Sequence, residues 1–440
     1  SAALKYEVPP IDLEKGFNIE NAARIRRETG MLTVGVGRIN TPELAEEILE
    51  ADKVDMVVIG RGQLADPEFV KKAAEGRGSE IVRCVGCNQG CYDGFENPLS
   101  PHITCLRNPA LGREAACQIT KTEKPETVLI AGGGIGGLEA AITLKKRGHH
   151  PILCEASDQM GGQFLLAGEA PRKQEMKDAV LHMAQQAEQM GVEIRMNTEV
   201  TPELVEEIRP HTLINAIGAI PILPDIPGKD LPFVVDSHDV LSGAASPKGN
   251  VVVVGGGMVG METAEYLAGK GCKVTDLEML PQFCQDMGST RKICVTEHIY
   301  AAGITPVTDV KVTGIQEGKV LGEKEGKTVE FPCDYVVIAI GAKSRDAKVL
   351  EDACREKGIG YLAVGDAARA RRAIDATREA FDAALHFDDA KMHEDAVKRP
   401  KTVFVTGGTG TMGKETILQL LARAPRFKVR ALARPSEKNR

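Results

Sequence analysis

Along most of the chain, short runs of Val, Ile, Leu and Ala alternate with longer stretches whose apolar positions recur at helical spacing. Parallel strands covered by helices require this alternation, and it predicts an α/β fold. Near the start, Asn18 to Thr29 reads as a helix, Leu32 to Gly37 as a buried strand, Pro42 to Ala51 as a helix capped by Thr41, and Met56 to Gly60 as a second strand. These two and a half βα units cannot close a sheet by themselves and would carry unpaired edges. They read as the C-terminal part of a larger (β/α)8 barrel.

Between Arg83 and Lys124 the periodicity fades while Cys, Asn, Gly and Pro accumulate, so this segment is expected to take its order from ligands. Regular structure returns at Thr127, and from there the chain repeats itself. Gly132 to Glu155 matches Gly255 to Glu278 at an offset of 123, with Glu139 on Glu262, Ala141 on Ala264 and Leu144 on Leu267. This is the mark of a duplicated nucleotide-binding unit. After Asp388 comes a polar link, DAKMHEDAVKRPK, then a third strand and glycine turn, VFVTGGTGTMG, with the chain running on to Arg440. A lone unit of about 40 residues cannot bury a stable core, so both ends read as truncated. The expected organisation is a barrel end at 1–83, a cysteine segment at 84–124, a first nucleotide domain at 125–230 and 335–388, a second inserted at 231–334, and a linker with the start of another Rossmann fold at 389–440.

Composition narrows the function. The 440 residues carry 55 basic and 62 acidic side chains, a net charge of -7 with no basic patch, which argues against nucleic acid as a partner. No apolar run reaches the roughly 18 residues of a membrane span. The start, SAALKYEVPP, is no secretory signal, and a cytoplasmic location is expected. Eleven cysteines, with four crowded between Cys84 and Cys105, point in that setting to metal or redox chemistry before disulfides.

Cys84, Cys87 and Cys91 stand in a CxxCxxxC spacing, and Cys105 follows after thirteen residues. Four thiolates within reach of one centre suit a four-iron cluster or a tetrahedral zinc, and the spacing alone leaves both open. The other seven cysteines are scattered and read as ordinary small residues.

VLIAGGGIGG places Gly132, Gly134 and Gly137 in a GxGxxG frame between a strand and a helix, and Glu155 ends the following strand. The glycines permit the turn, the approach of a pyrophosphate and tight helix–strand packing, while the acid can accept both hydroxyls of an adenosine ribose. The second copy has Gly255, Gly257 and Gly260, with Glu278 as its acid. A carboxylate there repels the extra phosphate of NADP, so this site favours NADH. One such fold can hold a flavin and the other the nicotinamide that reduces it. LINAIGA with Gly218 and VVIAIGA with Gly341 read as paired crossings between the two domains. Gly365 and Asp366, at a helix start, could hold the ribityl end of a flavin. Two Gly-Arg pairs, Gly37 with Arg38 and Gly60 with Arg61, end the predicted barrel strands, where backbone amides and guanidinium groups could form an FMN phosphate site.

RINTPELAEEILEADKVDMVVIGRGQLADPEF, CVGCNQGC and CLRNPALGRE together resemble the old yellow enzyme family, specifically its 2,4-dienoyl-CoA reductase and trimethylamine dehydrogenase class, from about Leu4 to Asp388. The resemblance implies an FMN barrel, a [4Fe-4S] cluster on Cys84, Cys87, Cys91 and Cys105, an FAD domain and an NAD(P)H domain. Electrons would pass from NADH through FAD, the cluster and FMN to an activated C=C bond in an enoate, enoyl-CoA or steroid enone. Gly161, Gly162 and Gln163 resemble the family's GGQ turn beside the flavin pyrophosphate. The family's substrate-binding and proton-donating residues belong to the earlier part of the barrel, so no catalytic residue is assigned here. An amine-type dehydrogenase of the same class, and a nucleotide-binding or redox-sensing fragment with structural zinc, stand as alternatives. The resemblance implies a small unsaturated molecule as a partner, while the unpaired barrel edges suggest association with a second copy of the chain or partial disorder. The C-terminal TGGTGTMG resembles extended short-chain dehydrogenase or NmrA-like proteins, with Gly407, Gly410 and Gly413 as its glycines and Arg434 placed to accept an NADP 2′-phosphate.

Overall fold

The structure, a computed structural model, describes residues 3–97, 102–388, 401–406, 417–419 and 427–432. The N-terminal stretch forms α1 (Ile19–Thr29), β1 (Val34–Gly35), α2 (Pro42–Glu50) and β2 (Met56–Val57), with the two strands paired in parallel. Thr41 caps α2 as expected, its hydroxyl accepting the Leu44 amide at 3.2 Å. The strands are shorter than the sequence predicts, and the first is not buried: Leu32 is 85% exposed and Val34 48%. Among the described residues each strand has a single neighbour, so its other edge carries no ladder there.

From Thr127 the chain builds a five-stranded parallel sheet. Its strands are β3 (Thr127–Ala131), β4 (His150–Cys154), β5 (Glu193–Arg195), β6 (Thr212–Asn215) and, far along the chain, β17 (Gly360–Ala363), in the order β17-β6-β3-β4-β5. Between β3 and β4 runs α3 (Ile135–Arg147), and α4 (Gln174–Gln189) packs beside it. The last helix of this unit, α7 (Ala373–His386), lies against α3, where the fully buried Ala140, Ala380 and Ala384 belong to one core and their small side chains allow close approach.

Between β6 and β17 the chain leaves to build a second sheet. The crossing strand β7 (Ala219–Pro221) leads into β8 (Val234–Asp236), β9 (Asn250–Val254), α5 (Met258–Gly269), β10 (Lys273–Leu277), α6 (Ser289–Ala301) and β11 (Thr305–Val307). An antiparallel trio follows, β12 (Lys311–Gln316), β13 (Lys319–Lys324) and β14 (Lys327–Pro332), before β15 (Tyr335–Ile338) re-enters the sheet, whose order is β11-β10-β9-β15-β8. The return crossing is β16 (Ala342–Ser344), antiparallel to β7 with Ala342 opposite Pro221. The sequence places the return at 335, but β15 still pairs with β9 and β8, and the first unit resumes only after Ile338. Farther on, β18 (Lys401–Thr406) and β19 (Phe427–Leu432) pair in parallel. Gly407, Gly410, Gly413 and Arg434 lie outside the described residues.

Four stretches of chain meet in a buried charge cluster. Glu262 of α5 accepts Lys173 Nζ at 2.5 Å and Arg291 Nη2 at 2.7 Å, and Arg291 Nε reaches Asp12 at 3.3 Å. All four side chains are less than a tenth exposed. Burial alone would raise the Glu262 carboxyl, but the two cations hold it below its ordinary range. Replacing it by Gln leaves two buried cations short of an anion, so Glu262→Gln is expected to cost about 3–5 kcal/mol in denaturant unfolding.

Asp276, in the middle of β10, presents the opposite case. It is fully buried, and neither carboxyl oxygen has a hydrogen-bond partner among the described residues. Burial, then the nearby Glu278 charge, raises its pKa well above the ordinary value, so the folded protein holds a proton that the unfolded chain releases. Stability is then greatest below the ordinary carboxylate range and falls as pH rises from there toward the folded pKa. Asp276→Asn is expected to melt at a higher temperature than the parent at pH 8 and to lose that advantage near pH 4; parallel pH-dependent melts check it.

Candidate functional site

The first fingerprint is shaped by contacts that only glycine permits. Gly132 sits at φ 102°, and a Cβ there would lie 2.4 Å from the Ala216 carbonyl oxygen; one on Gly137 would lie 1.9 Å from the Gly132 carbonyl oxygen. These approaches draw α3 onto the sheet. Gly134, the N-cap of α3, instead has no heavy atom within 4 Å of where a Cβ would be, so its face is open to a ligand. Glu155 accepts the Gly133 amide at 2.7 Å and, through its other oxygen, the Ser157 amide and hydroxyl at 2.8 Å each. Beside it opens a cavity of about 540 Å³ lined by Gly132, Glu155, Ser157, Val200, Ile217 and Leu350. The carboxylate, the apolar walls and the open helix end together fit the adenosine half of a dinucleotide.

The remaining predicted flavin residues gather around this turn. Gly161, at φ 115°, donates its amide to the Gly133 carbonyl at 2.9 Å and bridges Gly134, while Gly162 follows at φ 50°. Gln163 donates to the Ala219 carbonyl at 2.9 Å, tying the turn to the crossing strand β7. Gly218 and Gly341 take positive φ at the two crossings, and Gly218 accepts the Arg345 amide at 3.1 Å. Gly365 packs on Ala376 of α7, the residue that also approaches Gly136 of α3. Asp366 is half-buried and accepts the Arg371 amide at 2.9 Å; burial raises its carboxyl.

The second copy repeats the logic with one difference. Gly255 and Gly260 meet the Ala339 and Gly255 carbonyls as their counterparts do, and Glu278 accepts the Gly256 and Leu280 amides at 2.8 Å each. At the start of α5, however, the Met258 amide already bonds Asp286, at 3.2 and 3.3 Å to its two oxygens, while the Phe283 ring covers Gly256 as Met160 covers Gly133 in the first copy. The sequence reading overlooked Asp286. The signal was its place eight residues after Glu278, where the first copy has the neutral Gln163 eight after Glu155.

Cys84, Cys87, Cys91 and Cys105 line one small cavity, together with Arg61 and Arg107. A Cβ on Gly90 would lie 2.5 Å from the Thr104 carbonyl oxygen, so only glycine there lets the CxxCxxxC loop lie against the strand of chain bearing Cys105. The Gly86 amide donates to Cys84 Sγ at 3.4 Å and the Arg107 amide to Cys105 Sγ at 3.3 Å. Burial pushes the Cys105 thiol up to about 11 and the Cys87 thiol higher, with the neighbouring cysteines adding to both. Such sulfurs become thiolates when a metal cation displaces their protons to solvent. Among the described residues no three are gathered tightly enough to mark a site for a single metal ion.

The barrel end contributes a cavity of about 260 Å³ lined by both Gly-Arg pairs and sharing Cys84 and Arg61 with the cysteine cavity. The two guanidinium groups do not converge there as a free anion cup. Arg38 donates to the Ile11 and Leu13 carbonyls and pairs with Glu175 of α4, while Arg61 donates to the Pro9 carbonyl at 2.7 Å and to Asn88. Both arginines therefore tie segments together, and Gly37 and Gly60 supply the backbone walls of the cavity.

A family model described as pyridine nucleotide-disulphide oxidoreductase matches residues 126–371. The chain belongs to that family. A second model, the NADH:flavin oxidoreductase / NADH oxidase family, matches residues 11–80, and the two together place the chain in the 2,4-dienoyl-CoA reductase and old yellow enzyme class. It is 36% identical to a bilirubin reductase of Mediterraneibacter gnavus over 82% of its own length and 56% of the relative's, and 37% identical to an NADH oxidase of Thermoanaerobacter brockii over 83% and 57%. Its fold matches a 2-naphthoyl-CoA reductase with a TM-score of 0.81 at 27% identity, over 86% of this chain and 57% of that one. The chain thus spans a little over half the length of these relatives. No helix among the described residues is long and apolar enough to cross a membrane.

The two kinds of glycine contact separate folding from binding. Gly137→Ala is expected to lower the melting temperature of the flavin-free protein by several degrees, about the effect of overpacking a core. Gly134→Ala is expected to leave that temperature unchanged and to weaken FAD binding about tenfold or more, because its methyl meets the ligand instead of the protein. Melting curves and flavin titrations of the two variants check the pair.

Proposed function

We propose that this chain is the nicotinamide-oxidising half of a flavin and iron–sulfur reductase, in which electrons from NADH travel by way of FAD and a [4Fe-4S] cluster to FMN and an activated C=C bond. The observation that carries the reading is the cysteine cavity: four sulfurs and two amide-to-sulfur hydrogen bonds in a pocket that shares a wall with the barrel-end cavity. Amide donors of this kind are among the levers that set a cluster's potential. A cluster would supply one-electron transfer between carriers that handle electrons in pairs.

In this reading Gly132, Gly134, Gly137, Glu155 and the Gly161–Gln163 turn bind and orient FAD, while Gly255, Gly257, Gly260 and Glu278 bind NADH. Glu278 favours NADH over NADPH because its carboxylate, held by two amides, would face the extra phosphate. The apolar residues exposed beside β1 and β2, Leu32 and Val34 among them, suit burial against further barrel strands. The bilirubin and naphthoyl-CoA reductases among the relatives favour a conjugated, electron-poor substrate.

The test is anaerobic reconstitution with FAD, iron and sulfide, followed by rapid mixing with NADH. The parent is expected to bleach its flavin band and to contain iron with acid-labile sulfide. Cys87→Ser is expected to keep FAD and its bleaching, lose most of its iron, and no longer pass electrons to a one-electron acceptor. Zinc without labile sulfide, or a variant that transfers electrons as fast as the parent, overturns the proposal.

A further inference from the structure

Arg107 stands apart from the other arginines near the cysteine cavity. It lines that cavity, is only 8% exposed, and has an Nε without a hydrogen-bond partner. Among the described residues no carboxylate comes within ion-pair distance of its guanidinium. Arg61, on the same cavity, is half-buried and spends its donors on Pro9 and Asn88. Burying a cation with no close anion is costly unless something else in the pocket supplies negative charge. The candidates for that charge are few. Burial disfavours the charged guanidinium, Glu139 favours it, and the thiols of Cys105, Cys84 and Cys87 would each favour it if ionised. Glu139 sits on α3, the helix whose N-terminus opens toward the dinucleotide cavity, and accepts the Thr143 hydroxyl at 3.2 Å.

We propose that Arg107 is the charge-compensating residue of the metal centre held by the four cysteines, and that Arg107 and Glu139 together tune how readily that centre accepts an electron. The inference rests on the reading of the cysteines as cluster ligands. Four thiolates bring net negative charge into a dry cavity, and reduction adds one more unit. A buried cation beside the cavity stabilises the reduced state more than the oxidised one, and a carboxylate that acts on that cation does the reverse. Solvent screens an exposed charge but not this one, which gives Arg107 more leverage than Arg61.

The signs of the two effects make the proposal testable. Reconstituted holoprotein would be titrated anaerobically at pH 8, with the paramagnetic signal of the reduced cluster as the readout. Arg107→Met is expected to move the midpoint to more negative potential, changing the oxidised-to-reduced ratio at fixed potential on the order of tenfold, or about 59 mV for one electron. Arg107→Lys is expected to restore most of the shift, and Glu139→Gln to move the midpoint the other way. A merely structural role would not produce opposite signs from the two charges. If Arg107→Met fails to hold iron, Glu139→Gln and Arg107→Lys still decide: an unmoved midpoint in Glu139→Gln, or a shift of the same sign as charge loss at Arg107, overturns the proposal. An intact cluster with an unmoved midpoint in Arg107→Met also overturns the proposal, and leaves the reading of the cysteines standing. Absence of any cluster in the parent overturns the reading of the cysteines, and this role with it.

Discussion

The buried meeting of Asp12, Lys173, Glu262 and Arg291 constrains everything else, because it joins parts of the chain that share no sheet. Asp12 comes from the barrel end, Lys173 from the stretch before α4 of the first nucleotide unit, and Glu262 and Arg291 from two helices of the second. Two cations and two anions balance, which is the condition under which such a group tolerates removal from water. Coulomb attraction at these distances offsets the desolvation of the set only while all four members are present. The apolar cores of the two nucleotide units are separate, so hydrophobic packing alone leaves their relative orientation weakly specified. A directional cluster supplies that orientation. Since the second glycine turn opens from the same helix that carries Glu262, the charge cluster also sets where a nucleotide would be presented to the first unit.

Duplication explains why the two nucleotide units share so much and where they part. In both, the first and third glycines are demanded by carbonyl oxygens of the protein itself, at positions where any side chain would collide. In both, the acid at the end of the second strand is held by amides of its own turn. These features are consequences of the βαβ geometry and survive whatever the ligand is. The helix end is different, because there the protein does not fill the space in advance. In the first copy it is open over Gly134, and in the second the Asp286 carboxylate has moved onto it. Divergence thus fell on the one part of the motif that the fold leaves free.

Much of this was legible in the sequence because glycine and β-branched runs report backbone geometry directly. The repeat from Gly132 to Glu155 and Gly255 to Glu278, the insertion of one unit in the other, and the Thr41 cap all follow from residue type and spacing. What stayed hidden depends on partners distant in the chain. Nothing local in Leu32 or Val34 shows that β1 lacks a second neighbour, so a run that looks like a buried strand is exposed. Arg38 looks like an anion ligand until Glu175, 137 residues away, takes its charge. The return crossing was placed early because VVIAIGA reads as one strand, while the structure spends its first half on the second sheet and turns at Gly341.

The cysteine segment shows how an irregular stretch can be well specified without a ladder. Its loop is held against Thr104 by the need for glycine at 90, and its sulfurs receive amides from Gly86 and Arg107. Arg61 reaches from the barrel end to Asn88 within the loop, and Asn88 in turn donates to Thr290 at the start of α6. Two other modules therefore grip the same residue of the loop, and each grip is a hydrogen bond of defined direction. A segment fixed from both sides and by its own contacts can keep four thiols in one pocket even though their burial resists ionisation, because the backbone cost of gathering them is met by neighbours and not by the thiols. The work left for a metal is then mainly electrostatic: to replace the protons that burial has made hard to remove.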